Sequence, residues 1–431
     1  MNSTKWTQRI ALFICFSLLL FVMSCAAPNG PVNMPGENPK VINLEYWTPF
    51  SGGDNRFMTQ LVDLFNEENR HIQVIQVNSR LDDYYSRLRT TILSGSAPDV
   101  AILHQTSLPQ FVQNGYIENL EAPASAVSLD WDTFNANILE STVYDDVPYA
   151  VPLDTHTLVL YYNKDHLAQA GLLDAQGEPL LNSGQSLEAF LQVLKQKLPP
   201  EIAPLAQPGT RIDSVWLWWS LYNQIDGGGA FYNDERTEVI INNEKALKAL
   251  QYVHQLYNEG IIPPNINDAF KMFYDGQAAV LITGVWGTGA FEEVEKLNFG
   301  VIPLPVVFDQ AAVWGDSHTL VIPTKHGMTN EKRNAALYFM KWLVEHGAKW
   351  AEAGHVPSMT SVVKSSEYED LPYRSDYAAT ANYVAYWPRH VMQWPIVEIL
   401  IQEFEKMNYG QQTPAETLKQ TQSKINNELK E

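Results

Sequence analysis

Apolar and polar residues alternate through Ile42-Asn43-Leu44-Glu45-Tyr46, the period-two pattern of a strand. After a loop rich in Ser, Gly and Asp (48–55), Phe57, Leu61, Leu64 and Phe65 recur at i, i+4, i+7 and i+8, one face of a helix. Residues 72–77 read as a second strand, and Leu81, Tyr85, Leu88 and Ile92 as a second helical stripe ended by residues 95–98. Val100-Ala101-Ile102-Leu103 is continuously apolar, as expected of a buried parallel strand. This β-α-β-α-β order begins an open α/β sheet. The alternation continues with longer helices. Asn330 or Thr329 caps one whose Ala336, Phe339, Met340 and Leu343 share a face, closed by Gly347. Thr413-Pro414-Ala415-Glu416 reads as a capping box with proline at the first helical position, opening a last helix that buries Leu418, Ile425 and Leu429.

The N-terminus departs from this rhythm. Lys5 and Arg9 precede an almost unbroken apolar run (10–23), too short for a comfortable membrane span and suited to an export signal. Val22-Met23-Ser24-Cys25 is similar to a lipobox, where diacylglycerol alkylates the cysteine and the peptide is cut before it; an ordinary secretory signal containing a cysteine is the alternative. Residues 1–24 are therefore expected to be a lipoprotein signal peptide and Cys25 the lipidated residue, two acyl chains making a stable anchor. Residues 25–40, with Pro28, Pro31, Pro35 and Pro39, are expected to be a flexible tether. The location implied is extracytoplasmic, anchored to the cell membrane.

Cys15 leaves with the signal, so no disulfide is expected and a large core must supply the stability. A chain of 431 residues, 45% hydrophobic with 12 Trp, has material for one, divided into two or three domains. The formal charge is −20, and without Lys5 and Arg9 the mature chain keeps 27 basic against 49 acidic residues, a net −22. Such a surface repels nucleic acid and anionic headgroups and fits neutral or cationic small solutes.

Five segments in order then carry a family likeness: residues 44–48 with Phe65-Asn66-Glu67-Glu68-Asn69; Leu93-Ser94-Gly95-Ser96-Ala97-Pro98-Asp99-Val100; Tyr149-Ala150-Val151-Pro152-Leu153-Asp154 running into Tyr161-Tyr162-Asn163-Lys164-Asp165 and Ala170-Gly171-Leu172; residues 273–286; and Gly354-His355-Val356-Pro357. Over about residues 41–429 the chain resembles the extracellular solute-binding proteins of carbohydrate ABC importers, the maltose-binding-protein-like family. The resemblance implies a two-lobed α/β fold with three hinge crossings and a ligand cleft between the lobes. It places the crossings near 154–158, 281–286 and 321–325, with one lobe from 41–155 plus 283–322 and the other from 156–282 plus 323–431. It further implies a monomer that captures a mono- or oligosaccharide by hinge closure and passes it to permease subunits of the importer.

A pyranose offers an apolar face for aromatic rings and a hydroxyl rim for Asp, Asn, Gln and His. In open α/β sheets such groups sit beyond the carboxyl ends of strands. Trp286, with Gly287 among the small neighbours that let a ligand approach, follows the apolar stretch 279–282 and matches the family's stacking tryptophan; the alternative is a strand-end core residue. Trp47 ends the first strand and reads either as cleft or as hinge packing. His104, Gln105 and Thr106 follow the buried strand, where the family often has an acidic residue, so the hydroxyl pattern differs. Asp154 and His156 lie on the first implied crossing, facing ligand or forming a buried hinge pair. Trp216, Trp218 and Trp219 open an aromatic helix that reads either as core or, by its place in the family's order, as cleft; Trp216 and Trp219 share a face and suit the cleft, while Trp218 suits the core. Trp314 to His318, including Asp316, together with residues 387–390 and Trp394, fall in implied cleft loops. Arg211 and Arg389 are the cations to watch for an anionic ligand.

Catalysis finds little support. Gly315-Asp316-Ser317 looks like an esterase nucleophile motif, but no D-x-x-H occurs in the chain, nor G-x-S-x-G, H-E-x-x-H or a Walker loop. A secreted glycosidase would need a carboxylate pair across one cleft. A binding protein reporting to a membrane receptor would use the same fold as a transport receptor. No cofactor is expected, and D-x-H alone supplies too few ligands for a metal.

Overall fold

The computed structural model describes residues 41–50 and 53–430, so the expected signal peptide, Cys25 and the tether lie outside the described residues. In chain order the strands are β1 (Ile42–Thr48), β2 (Ile72–Asn78), β3 (Val100–His104), β4 (Val143–Tyr144), β5 (Val147–Pro148), β6 (Val151–Pro152) and β7 (Asp154–Asn163). After them come β8 (Ala203–Ala206), β9 (Ala278–Gly284), β10 (Phe299–Pro303), β11 (Val313–Asp316), β12 (His318–Val321), β13 (Val356–Pro357) and β14 (Val384–Ala385). Two sheets hold most of them. One has the order β2-β1-β3-β12-β6; the other runs β14-β11-β7-β9-β8, with β10 and β13 also pairing with β7. β1 is parallel to β2 and β3, and β12 closes antiparallel on β3 and β6.

The first sheet is covered on both faces. Leu44, Tyr46, Val100 and Ile102 enter one apolar cluster, while their neighbours Trp47, Ala101 and Leu103 enter another. That double burial explains why residues 100–103 carry no polar alternation. The helix Asn330–Glu345 packs on this sheet, capped by the Thr329 side chain, with Ala336, Phe339, Met340 and Leu343 buried as their spacing predicts. At the other end of the chain the Thr413–Glu416 capping box is formed, and Leu418 and Ile425 are fully buried.

Elsewhere the buried arc differs from the predicted stripe by one position. Helix Gly53–Glu68 buries Met58, Leu61, Val62 and Phe65, with Phe57 and Leu64 at its margin. Helix Leu81–Leu93 buries Tyr84, Leu88 and Ile92, and Leu81 is exposed. Adjacent helical positions lie only about 100° apart, and the covering element decides which one faces in.

The chain passes between the sheets at Leu153, between β6 and β7, and at Ser317, between β11 and β12. The two passages lie side by side: the Leu153 N–H donates to the His318 carbonyl at 2.8 Å. β13 enters a third time, pairing Val356 and Pro357 with Thr155 and Asp154. The sheets thus divide the chain differently from the expected boundaries. Residues 281–286 do not cross, because β9 runs within the second sheet, paired with β7 and β8. β10 and β11 also pair with β7, and helix Asn330–Glu345 covers the first sheet. Among the described residues no helix is long and apolar enough to cross a membrane.

Candidate functional site

Three indoles meet where the second sheet's strands end. Trp216, on helix Asp213–Gln224, stacks on Trp314 with ring centroids 4.0 Å apart and planes at 18°. Trp286, in the turn after β9, stands edge-on to Trp216 at 5.8 Å and to Trp314 at 6.5 Å. Its ring lies over Gly284, where a Cβ would meet Trp286 Cζ3 at 1.8 Å. Trp216 and Trp286 are partly buried and line a narrow pocket with Arg211, Asp213, Asp268, Phe270 and Thr283. Trp216 Nε1 and Trp314 Nε1 are buried without a hydrogen-bond partner, while Asp213 Oδ2 lies 3.5 Å from Arg211 Nε in an ion pair. Burial pushes the Asp213 carboxyl above its ordinary range, opposed by Arg211. Aromatic faces beside unpaired donors suit a polyhydroxylated ring.

The loop after β3 reaches the same region from the first sheet. Thr106 donates through Oγ1 to Asp316 Oδ2 at 2.6 Å and through its N–H to Oδ1 at 3.2 Å, and the Ser317 N–H adds a bond at 2.8 Å. The Gln105 N–H donates to the Ser317 carbonyl, while its buried Oε1 has no partner. Burial raises the Asp316 carboxyl, against His156 and the bonds from Thr106 and Ser317. Trp394 Nε1 donates to Ser107 Oγ at 2.9 Å, and the next residue back, Gln393, has both amide atoms buried and unpaired. The sequence missed Asp213, Phe270 and Gln393 as candidates. Only the position of Asp213, one turn before Trp216, offered a local signal.

Asp154 and His156 belong to a different arrangement. The Asp154 carboxylate is fully buried and accepts from His318 Nδ1 (2.8 Å), the His318 N–H (3.1 Å), His156 Nδ1 (3.2 Å) and Trp350 Nε1 (2.6 Å). His355 Nδ1 lies 3.9 Å from its Oδ2. Burial would raise this carboxyl, but His318, His355 and the bond from His156 outweigh it and hold it well below the usual carboxylate range. Burial and the neighbouring His318 lower the His156 imidazole, with Asp154 opposing. His355 is raised despite burial by Asp54 and Asp154. The group sits where β7, β12 and β13 begin, at the passages between sheets. Each Asp154 oxygen accepts two hydrogen bonds, so in this structure the residue acts as a hinge node that ties the passages together. Tyr85 Oη lies 2.6 Å from His104 Nδ1, placing His104 against the node, 4.8 Å from the His318 ring.

Three other candidates are structural. Trp219 is buried, donates to the Ala385 carbonyl at 2.8 Å and stacks on Trp387 at 4.7 Å. Trp47 is buried among Tyr84, Leu88 and Leu103, donates to Glu45 and lies under Arg87. It faces inward because both faces of β1 are covered. Gly287 faces Phe291 and Phe270, so it serves close packing and does not border the pocket. Trp218 is core, donating to the Ala246 carbonyl. Arg389 donates to the carbonyls of Val143 and Glu140 and lies over Tyr144, leaving Arg211 as the cation at the pocket. A wider groove between helices Gly53–Glu68 and Thr288–Glu292 is crossed by the Arg56–Glu293 ion pair and offers charge pairs, not stacked rings.

Residues 60–375 match the family model of bacterial extracellular solute-binding proteins. A maltodextrin-binding protein of Bacillus subtilis is 23% identical over 310 residues, 69% of this chain and 67% of its own. An arabinooligosaccharide-binding protein of the same organism is 23% identical over 382 residues, 84% of each chain. Among solved structures, an ABC substrate-binding protein of Listeria monocytogenes in complex with cycloalternan superposes with a TM-score of 0.75 at 21% identity, covering 91% of this chain and all of that one. UgpB of Mycobacterium tuberculosis in complex with glycerophosphocholine gives 0.77 at 18% identity, covering 90% and 98%.

Proposed function

This chain belongs to the bacterial extracellular solute-binding proteins, and from that premise we propose that it is a receptor that closes two lobes around a neutral saccharide and delivers it to an ABC importer. The observation that carries the sugar reading is the Trp216–Trp314–Trp286 cluster, with the buried indole N–H groups of Trp216 and Trp314 lacking a protein partner. Rings pack on the apolar faces of the sugar, and buried donors are placed to pair with its hydroxyls. Relatives that bind maltodextrin and arabinooligosaccharide belong to the same ligand class.

We take each sheet with its helices as one lobe, joined at Leu153, at Ser317 and around His355. Thr106–Asp316 and Ser107–Trp394 are then contacts that favour closure. The lipid anchor at Cys25 and the tether (25–40) would hold the receptor near its permease outside the membrane, with the folded part acting as a monomer and a binder without catalysis. A glycerophosphoester ligand is the second reading, resting on Arg211 at the pocket.

A thermal-shift screen of the full chain against saccharides, polyols and glycerophosphoesters tests this, since a ligand of the native state raises the melting temperature. A shift with a saccharide supports the proposal. A shift confined to phosphate esters replaces the ligand class, and hydrolysis of a glycoside without any shift refutes the receptor.

A further inference from the structure

Asp154, His156, His318 and His355 each offer one ligand atom, and these four atoms lie within 4.8 Å of one another, all on buried side chains. Neither the solute cleft nor the family likeness accounts for three imidazoles and a carboxylate converging at this depth. We propose that these four residues bind a Zn²⁺ ion that pins together the passages between the two lobes.

The donor set is suited to the ion. Zn²⁺ takes imidazole nitrogen at 2.0–2.1 Å and carboxylate oxygen at about 2.0–2.2 Å in a tetrahedron, which sets ligand atoms about 3.4 Å apart. Asp154 Oδ1 stands 3.2 Å from His156 Nδ1, and its Oδ2 stands 2.8 Å from His318 Nδ1 and 3.9 Å from His355 Nδ1; the first two contacts are hydrogen bonds that the ion would replace. Coordination would draw together ligand atoms that now lie within 4.8 Å of one another. Four protein ligands fill the shell, which makes the site structural rather than catalytic.

The surroundings supply outer support. Trp350 Nε1 and the His318 N–H hold the Asp154 carboxylate in place. The His355 ring stacks on Trp350 with centroids 4.7 Å apart and planes at 8°. His355 is 1% exposed, yet neither ring nitrogen makes a hydrogen bond of good geometry. A metal at Nδ1 gives this buried ring its missing partner. Its Nε2, 3.3 Å from Asp54 Oδ1, then completes a carboxylate–histidine–metal relay. Coordination needs each Nδ1 free of its proton. The remaining proton of each ring resides on Nε2, and any imidazolium proton leaves to water.

The ligands are far apart in sequence but local in function. Asp154 and His156 lie on β7, His318 opens β12, and His355 precedes β13. One ion thus links the three segments that join the lobes and would fix their mutual orientation.

Titration of the metal-stripped full chain with Co²⁺, followed by visible absorption, tests the site. One equivalent should develop the intense bands of tetrahedral Co²⁺, displaced by Zn²⁺, and Zn²⁺ should raise the melting temperature. His318→Gln and His355→Gln should each weaken binding by roughly 100-fold or more, while His71→Gln, at an exposed histidine, should leave it unchanged. If the folded wild-type chain takes up no stoichiometric metal, the proposal is wrong. It is equally wrong if binding survives both ligand substitutions. Should either variant fail to fold, the wild-type stoichiometry and spectrum decide alone.

Discussion

Trp394 Nε1 donates to Ser107 Oγ at 2.9 Å, joining helix Gln393–Asn408, which packs in the second sheet's core, to the turn that follows β3 in the first sheet. A neutral hydrogen bond of this kind contributes about 1 kcal/mol. If it favours the closed state, Trp394→Phe keeps the ring, loses the donor and weakens solute binding about fivefold, chiefly by faster release. Stopped-flow fluorescence of solute dissociation measures this; an unchanged release rate would mean the bond plays no part in closure.

Trp286→Ala removes one wall of the indole pocket. Loss of a stacked ring is expected to weaken solute binding by about 1–3 kcal/mol, while the partly exposed site leaves the fold intact. Gly284→Ala should reproduce much of that loss with the indole present, because the added Cβ displaces the ring from its seat. Calorimetry combined with circular dichroism separates lost affinity from lost structure. Unfolding of Trp286→Ala would return the residue to the core.

Trp219 behaves as core, so Trp219→Ala should cost about 3–5 kcal/mol of stability without changing the affinity of the molecules that remain folded. Urea denaturation gives the first quantity and titration the second. A large affinity change with little destabilisation would restore Trp219 to the cleft.

Glu403 is buried on helix Gln393–Asn408 and accepts from Lys406, Lys424 and Gln412. Burial raises its carboxyl, but those bonds outweigh it and hold it at about 2. A carboxyl lowered in the folded state stabilises fully above its unfolded value of about 4.3 and loses that contribution as the pH falls toward 2. Stability should therefore decline on acidification through this window, and Glu403→Gln should flatten the slope there while lowering stability at neutral pH. Equal slopes for the two proteins would contradict the assignment.

Local pattern made much of the fold legible. The alternation at residues 42–46, the apolar run 100–103 and the capping box at Thr413 all describe contacts within a few residues. Trp286 was readable as a cleft candidate because it follows an apolar strand among small neighbours, and Trp216 because it shares a face with Trp219 near a helix start. Trp47 stayed open between cleft and packing because it ends a strand before a polar loop, and local pattern does not show that both faces of β1 are covered. The hinge node was not legible as a set. Asp154 and His156 form a visible pair, but His318 joins them from 164 positions away. His355 stood only in a segment of family likeness. Strand pairing assembled what no spacing encodes, and the same pairing moved β10 and β11 into the second sheet.

The proposed function requires the pocket lined by Trp216 and Trp286 to receive a saccharide. Calorimetric titration of the full chain with a panel of neutral mono- and oligosaccharides, run beside Trp286→Ala, tests it most directly. One-to-one binding of at least one saccharide is expected, with a negative heat-capacity change from buried apolar surface and a loss of about fivefold or more in the variant. A folded chain that binds none of them, or binds one equally well without Trp286, contradicts it.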